Sequence, residues 1–531
     1  MSAPLVPVSA DRAAVAALAE DLAALPYTTE AVAGLLGDQA AAALDREQAE
    51  PARWRVGMVL DDDGAPGPRR ALAAVVSAWM LGDPVPAALL DAALPRTGAA
   101  GAAAAGLGWV RDGAFHPAVD LSPYATDVLG DLWVASDQTA LQRRAALPDW
   151  HVLGIGRASL TLAGTVVRRP VDTALDLGTG CGIQALHLLA HAGHVTATDL
   201  SGRALAFTAF NLVLNAGALG LAADEDPWAE GGRVTLREGD LLEPVAGRRF
   251  DLVVSNPPFV ITPRAGDGPG TADPAVLTYR DGGRPGDELL AGLVAALPGH
   301  LTAGGTAQLL GNWEVHGDDA WDDRLRAWVP AGTDAWIVQR DLLDAAGYAE
   351  TWLRDSSEQH DPRAYAAGYR RYLEDFAARG VAAVGFGYLW LRRPATDRPG
   401  RVRTEELAGD LQQPLGPAWG EAVERWDLVA GGLEAVRGLH VRVPGDVTEE
   451  RHQRFGADHP EVILARQGGG FRRTATLDTA TAGFLSAADG EFTAGQLAGA
   501  VAGLLGLDED GQRALLEAVG RLLEDGFLVP R

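Results

Sequence analysis

Lysine is absent from the 531-residue sequence, so all 45 of its formal positive charges are arginine. Arginine offers planar, bidentate contacts where lysine would offer a point charge. Positive charge is scarce overall, since 71 acidic residues leave a net charge of -26 and a pI near 4.8. A protein that lives on bare phosphate backbone usually carries a basic footprint. None is visible here beyond local pairs such as Arg143-Arg144, Arg168-Arg169, Arg370-Arg371 and Arg392-Arg393. Cys181 is the only cysteine, which excludes an intrachain disulfide and a cysteine-based zinc site. The 11 histidines lack metal-ligand spacing, so no metal is expected. No apolar run reaches the roughly 18 residues that a membrane-crossing helix needs. The N-terminal stretch MSAPLVPVSADRAAV has no basic region followed by an apolar core, so it does not read as a signal peptide. These features predict a cytoplasmic, reducing location.

What is present has the composition of a globular protein, 47% hydrophobic and 22% charged. The length predicts two to four domains. Residues 1–123 read as helical: Ser9 is placed to cap a helix through AVAALAEDLAAL, and TTEAVAGLLG, RRALAAVVSAWMLG and VPAALLDAAL follow. GLGWVRDGAFHPAV then reads as a hairpin, and helices closed by a hairpin suggest a winged-helix-like module. Residues 124–395 alternate apolar strands with amphipathic helices, which predicts a parallel sheet covered on both faces. Its strands are expected at 173–178, 194–200, 233–240, 250–256, 305–313, 334–342 and 384–393. The Pro/Gly/Arg-rich run at 392–403 reads as a linker. Residues 396–531 form a third region, ending in three helices and a short strand that again suggest a winged-helix-like unit.

The densest chemical signal is Asp176-Leu177-Gly178-Thr179-Gly180-Cys181-Gly182, which follows a strand and opens a helix. Glycines there let the chain turn tightly and approach a ligand. Ile183 stands where a Gly-x-Gly-x-x-Gly pattern would need its last glycine. The second strand ends at Asp199, where a carboxylate can accept both hydroxyls of a ribose. The third ends at Glu238-Gly239-Asp240, where Asp240 can accept from an adenine amino group. The fourth runs into Ser255-Asn256-Pro257-Pro258-Phe259. Two prolines fix the backbone just past the strand. The Asn256 side chain and the Pro257 carbonyl then become acceptors for a planar NH₂ group, with Phe259 available to stack on a flat substrate.

With these residues the chain resembles the class I S-adenosylmethionine-dependent methyltransferases, specifically the group whose Asn-Pro-Pro-aromatic motif methylates planar nitrogens. That group includes release-factor glutamine, guanine-N2 ribosomal RNA and adenine-N6 methyltransferases. The resemblance covers about half of the chain. It implies an α/β, seven-stranded, doubly wound Rossmann-like sheet flanked by the two helical modules. It implies S-adenosylmethionine as cofactor, with Asp176, Gly178, Thr179, Gly180 and Gly182 as its loop, Asp199 on the ribose and Asp240 on the adenine side. Asn256, Pro257, Pro258 and Phe259 match the catalytic motif. Ser159 and Thr161, in the stretch Gly154 to Thr161, match a segment that covers the methionine end of the cofactor, although Ser159 could equally cap a helix. Tyr279-Arg280-Asp281-Gly282-Gly283-Arg284-Pro285-Gly286-Asp287 is similar to a segment downstream of the motif in the glutamine methyltransferases. Phe259 departs from that branch, which usually has tyrosine, and is commoner in the guanine-N2 families.

A protein or peptide glutamine amide is therefore the expected substrate. A nucleic-acid base in RNA or DNA and a small-molecule natural product stand as alternatives. A dehydrogenase would need the full Gly-x-Gly-x-x-Gly pattern and has no use for Asn-Pro-Pro-Phe. A non-catalytic scaffold would be expected to have lost the glycines or the acceptor motif. The glycine spacing with Asp199 and Asp240 predicts that calorimetry detects binding of S-adenosylmethionine and not of NAD. Binding of NAD alone would overturn this reading.

Overall fold

Every apolar run anticipated in the middle region is a strand: β1 (Val171–Leu177), β2 (Ala192–Asp199), β3 (Val234–Glu238), β4 (Phe250–Ser255), β5 (Leu301–His316), β6 (Asp334–Asp344) and β7 (Val381–Arg392). The computed structural model describes residues 5–145, 147–222, 226–264, 282–317, 319–355 and 361–531. In β4 the residues Leu252, Val253, Val254 and Ser255 are buried in succession, the mark of a strand covered on both faces. The sheet order is β3-β2-β1-β4-β5-β7-β6, continued by β8 (Val402–Glu406). Strands β3 to β5 run parallel, whereas β7 is antiparallel to both β5 and β6. This is a doubly wound α/β sheet with an antiparallel strand, β7, set between β5 and β6. The order reverses between β1 and β4, and in open α/β sheets the crevice at such a point, beyond the carboxyl ends of the strands, is where ligands bind.

The sheet has eight strands among the described residues, one more than expected. The extra strand lies partly in the stretch read as a linker. The side chains of Arg392 and Arg398 both bond the carboxylate of Asp334, at 2.7 and 2.6 Å, and the Arg401 N–H donates to it at 3.0 Å. Asp334 is fully buried, so these arginines supply the partners that its charge requires. In a Pro/Gly-rich run such charges look solvent-directed, and the strand Val-Arg-Thr-Glu-Glu has little apolar character to announce itself.

Helices α1 (Ile183–Leu188) and α2 (Gly202–Leu214) follow β1 and β2, and α3 (Glu288–Ala296) precedes β5. Helices α4 (Ala345–Asp355) and α5 (Pro362–Arg379) lie between β6 and β7. One apolar core joins Leu175, Val253, Leu290, Leu309, Trp313 and Ile337. A second lies around Tyr348, Phe376 and Val384.

The chain divides into two compact units. The first takes in the chain up to Ala163 and Pro170–Glu406, so the N-terminal helices belong with the sheet. Its first helix, Arg12–Ala24, is capped by Asp11, whose carboxylate accepts the Ala14 N–H at 3.1 Å, and not by Ser9. Both residue types cap well, and the helix begins one residue after the aspartate. The expected hairpin is present as Gly108–Arg111 and Ala114–Pro117, joined by Val85–Pro86 into a small antiparallel sheet. A second hairpin, Val119–Thr126 with Gly130–Asp137, pairs only with itself in sheet terms, and position 123 lies inside its first strand. Helix α2 carries it. Asn215 accepts from the Trp133 N–H and donates to the Trp133 carbonyl. Asn211, fully buried, does the same for Ala135 at 2.8 and 2.9 Å, and its Nδ2 also donates to the Cys181 carbonyl at 2.8 Å.

The second unit comprises Gly164–Arg169 and Leu407–Arg531. Helices Thr479–Ala487, Ala494–Leu505 and Glu509–Asp525 start at capping residues Asp478, Thr493 and Asp508. Their apolar faces enclose Phe484, Val519, Leu523 and Phe527. The closing strand Val529–Pro530 pairs with His440–Arg442 in a three-stranded sheet. Among the described residues no helix is long and apolar enough to cross a membrane.

Asn211→Ala removes partners from three buried backbone groups, Ala135 N–H, Ala135 C=O and Cys181 C=O. Leaving buried polar groups unsatisfied costs about 1–3 kcal/mol each, so urea denaturation should show a loss of about 3 kcal/mol or more. A loss below about 1 kcal/mol, within the range of an ordinary surface substitution, would show that the clamp is not needed.

Candidate active site

The glycine turn leaves β1 at the switch point, and Asp176 holds it in shape from behind. This buried carboxylate accepts the Thr179 hydroxyl at 2.6 Å and the Ala185 N–H at 2.9 Å, tying the end of the strand to the first turn of α1. Its other oxygen, Oδ1, is buried with no hydrogen-bond partner. Burial pushes the Asp176 carboxyl up to about 7. The N–H groups of Gly178 and Thr179 both donate to the Thr198 carbonyl of β2 at 2.9 Å. Gly182, at φ +93°, caps α1 where a Cβ would stand 3.1 Å from Thr208 Cγ2, so a side chain would be strained by the backbone and crowded by Thr208.

The next strand ends supply acceptors. Asp199 closes β2, with Oδ2 accepting the Gly180 N–H at 2.9 Å and Oδ1 accepting the Ser201 N–H at 2.8 Å. Each carboxylate oxygen has a second lone pair, so these bonds orient the group without exhausting it. Burial raises the Asp199 carboxyl above its ordinary value, and Glu238 adds to the effect. At the end of β4 the Ser255 hydroxyl donates to the Leu177 carbonyl at 2.7 Å, locking β4 to β1 immediately before the Asn-Pro-Pro turn. Asn256 follows, and its Oδ1 is buried without a partner.

These strand ends open on a cavity of about 500 Å³. Gly178, Thr179, Gly180, Asp199, Asp240 and Ser159 line it on the glycine-turn side. Asn256, Pro257 and Pro258 line it from β4. Four of the expected residues stand elsewhere. Asp176 and Gly182 lie outside the lining and shape the turn. Thr161 is also outside it. Phe259 borders a much smaller neighbouring cavity with Arg284, Asp287 and Asn312.

The sequence reading missed the roof. Asp149, Trp150, His151, Val152 and Leu153 all line the main cavity. The buried carboxylate of Asp137, at the end of the second hairpin, accepts the Val152 N–H at 2.9 Å and the Arg203 Nε at 2.9 Å, with a further contact from Arg203 Nη2. Arg203 lies 4.6 Å from the centre of the Trp150 ring and 5.3 Å from that of Phe207. A cation over an aromatic face holds the indole in place. Burial lowers His151 to about 4, Arg143 and Arg203 add to this and Asp137 opposes it, so the roof presents a neutral imidazole. No spacing or glycine pattern marks this segment in the sequence. Cys181 also lines the cavity, but burial pushes its thiol up to about 12, which makes it inert as a nucleophile.

Tyr279, Arg280 and Asp281 lie outside the described residues, whereas Gly282 and Gly283 line the cavity. A Cβ on Gly282 would lie 1.9 Å from Leu289 Cδ1 and 3.4 Å from the Pro258 carbonyl oxygen. Glycine at 282 thus lets this segment lie against Leu289 of α3, within ordinary contact of the Pro258 carbonyl. Among the described residues no group of His, Cys, Asp and Glu is arranged to hold a metal.

The donors and acceptors fit an adenosine-bearing cofactor with an amine-bearing acceptor beside it. Carboxylates stand at the ends of β2 and just past β3, and an unpartnered amide oxygen stands at the end of β4. Residues 154–266 match the methyltransferase small domain, and residues 24–118 match a domain of unknown function (DUF7059). The chain is similar to the ribosomal protein uL3 glutamine methyltransferase of Bordetella pertussis, with 30% identity over 215 residues, 39% of this chain and 65% of that protein. It is also similar to the release factor glutamine methyltransferase of Geobacter sulfurreducens, with 33% identity over 136 residues, 25% of this chain and 42% of that protein. The chain thus spans less than two thirds of the length of either relative.

Asp176 yields a pH prediction. Its carboxyl has an ordinary value of 3.8 in the unfolded chain and about 7 in the fold. In that window the folded state binds a proton that the unfolded chain has released, so stability is highest below the lower value and falls as pH rises through the upper one. Asp176→Asn should flatten this part of the stability curve, measured by denaturant unfolding at pH steps between about 4 and 8. Identical slopes in the variant and the parent would show that the group does not titrate there.

Proposed function

We propose that the chain transfers a methyl group from S-adenosylmethionine to the side-chain amide nitrogen of a glutamine in a protein. The observation that carries this reading is the unpartnered, buried Oδ1 of Asn256 in the wall of the main cavity. A buried acceptor left without a donor costs free energy, and a substrate NH₂ group supplies that donor. Gly178, Gly180, Asp199 and Asp240 would hold the cofactor, with the roof at 149–153 excluding water above it. The cofactor supplies an electrophilic methyl group on a sulfonium with a good leaving group.

The residues of the chain do the rest. Asn256 Oδ1 and the Pro257 carbonyl accept the two amide protons and hold the nitrogen in line, and such positioning accounts for much of the barrier in a displacement. Their partial negative charge offsets the positive charge that develops on nitrogen. The proton leaves after transfer, so no strong base is required. The amide of Asn256 and the carbonyl of Pro257, the groups assigned to the nitrogen, are acceptors and not bases. A glutamine substrate is favoured by the similarity to the uL3 and release factor enzymes and by the Gly282-Gly283 segment against the motif. The net charge of -26 argues against a nucleic-acid substrate. The cytoplasm is the compartment we infer for such substrates.

Tritiated S-adenosylmethionine with purified uL3 and release factor should label a glutamine, located by mass spectrometry. Label in ribosomal RNA with none in either protein would replace the substrate. Asn256→Ala should abolish transfer while calorimetry shows cofactor affinity within about twofold of the parent. Asp199→Ala should instead weaken cofactor affinity by about tenfold or more, the effect of losing hydrogen bonds to a polar ligand. Full turnover in Asn256→Ala would sink the mechanism.

A further inference from the structure

Two residues past Phe259 the backbone is fastened to a different part of the unit. The Ile261 N–H donates to the hydroxyl oxygen of Tyr348 at 2.8 Å, and both residues are buried. The same oxygen accepts Asn312 Nδ2 at 3.2 Å, and Asn312 in turn borders the small cavity beside Phe259. A phenol oxygen has two acceptor lone pairs, so it can serve both donors. The Tyr348 ring, on α4, has no freedom to follow the loop. It is fully buried, with the rings of Phe376 and Phe386 at 5.7 Å, Trp352 at 6.0 Å and Tyr372 at 6.2 Å.

The Asn-Pro-Pro-Phe segment is thus fixed at both ends. Ser255 binds it to β1 at one end, and Tyr348 binds it to α4 at the other. Tyr348 itself does not line the main cavity. We propose that Tyr348 is a positioning residue for methyl transfer, its hydroxyl setting the pitch of residues 256–261 and hence the place of the Asn256 oxygen. The inference rests on the reading of Asn256 as the acceptor of the substrate amine. Phenylalanine at 348 keeps the ring packing and removes the acceptor. The buried Ile261 N–H then loses its partner, and the segment is released at its far end. A displacement of about 1 Å at a reacting group can cost about a hundredfold in rate, so even a partial release is visible in turnover.

The test compares the full chain with Tyr348→Phe and Phe376→Leu. Phe376 belongs to the same aromatic cluster and contributes packing alone to Tyr348. In Tyr348→Phe, hydrogen exchange in the peptide spanning 256–262 should quicken by about tenfold, the effect of one lost buried bond. With uL3 or release factor as substrate, kcat should fall about tenfold or more, while cofactor affinity by calorimetry and KM stay within about twofold. Phe376→Leu should lower Tm and leave kcat and the exchange of that peptide unchanged. Unaltered exchange or unaltered kcat in Tyr348→Phe overturns the proposal. So does an equal fall of kcat in Phe376→Leu, which would mark a general packing effect. A parent chain that binds S-adenosylmethionine but methylates neither protein refutes the substrate reading first, a failure distinct from a parent that works and a Tyr348→Phe variant that works equally well.

Discussion

The amide of Asn211 is the point on which the geometry of the first unit turns. It is one side chain on α2, yet it satisfies the backbone of a hairpin strand and the carbonyl of Cys181 inside the glycine turn. Buried backbone groups must find partners, and these segments find theirs in the same amide. The turn therefore cannot shift relative to the hairpin without leaving polar groups dry. Asn215 repeats the arrangement one helical turn on, and Arg203, on the same helix, closes it by binding Asp137 at the end of the hairpin. Through α2 the floor and the roof of the cavity become parts of one bonded assembly.

Burial shifts several titratable groups in and around the cavity. Asp176 and Asp199 are both shifted towards the protonated form by burial, and His151 is shifted towards the neutral form by the same cause. Arg203, one of two arginines over the Trp150 ring, is engaged by Asp137 and by two aromatic faces. The amide of Asn256 and the carbonyl of Pro257 suit a reaction in which positive charge arises on a neutral nitrogen, since fixed dipoles stabilise it without solvent reorganisation. In the sheet, Asp334 is met by two arginines and by a backbone N–H. Arginine, the only basic side chain besides histidine, serves as an internal tie at Arg203, Arg392 and Arg398.

Much of this was legible in the sequence, and the exceptions share a cause. Strands β1 to β7 showed because each carries a run of apolar or β-branched residues, as in Leu252 to Val254. Strand β8 did not show, because its pairing depends on β6 and not on its own composition. The glycine turn and the Asn-Pro-Pro motif were legible because glycine and proline act on the backbone locally, wherever the rest of the chain goes. Trp150 and His151 were not, since what makes them part of the cavity is Asp137 and Arg203, distant in sequence and typical of any surface. Phe259 belongs to the same group: its motif suggested a stacking face, but which cavity it borders is decided by the packing around Asn312 and Leu289. The linker reading of 392–403 failed for the related reason that a buried carboxylate elsewhere recruited its arginines.

The region that matches the methyltransferase small domain starts at residue 154, but the cover of the cavity lies upstream of it, between Asp137 and Leu153. A piece cut at the match would take from Arg203 both its counter-ion Asp137 and the Trp150 face, and from Asn211 the Ala135 backbone groups it bonds. The hairpin is also held by Tyr27, whose hydroxyl donates to the Leu121 carbonyl at 2.7 Å and whose own carbonyl accepts the Trp133 indole N–H at 2.8 Å. Tyr27 lies within the segment of unknown function, so that segment holds the hairpin whose last residue, Asp137, bonds Val152 in the cavity lining.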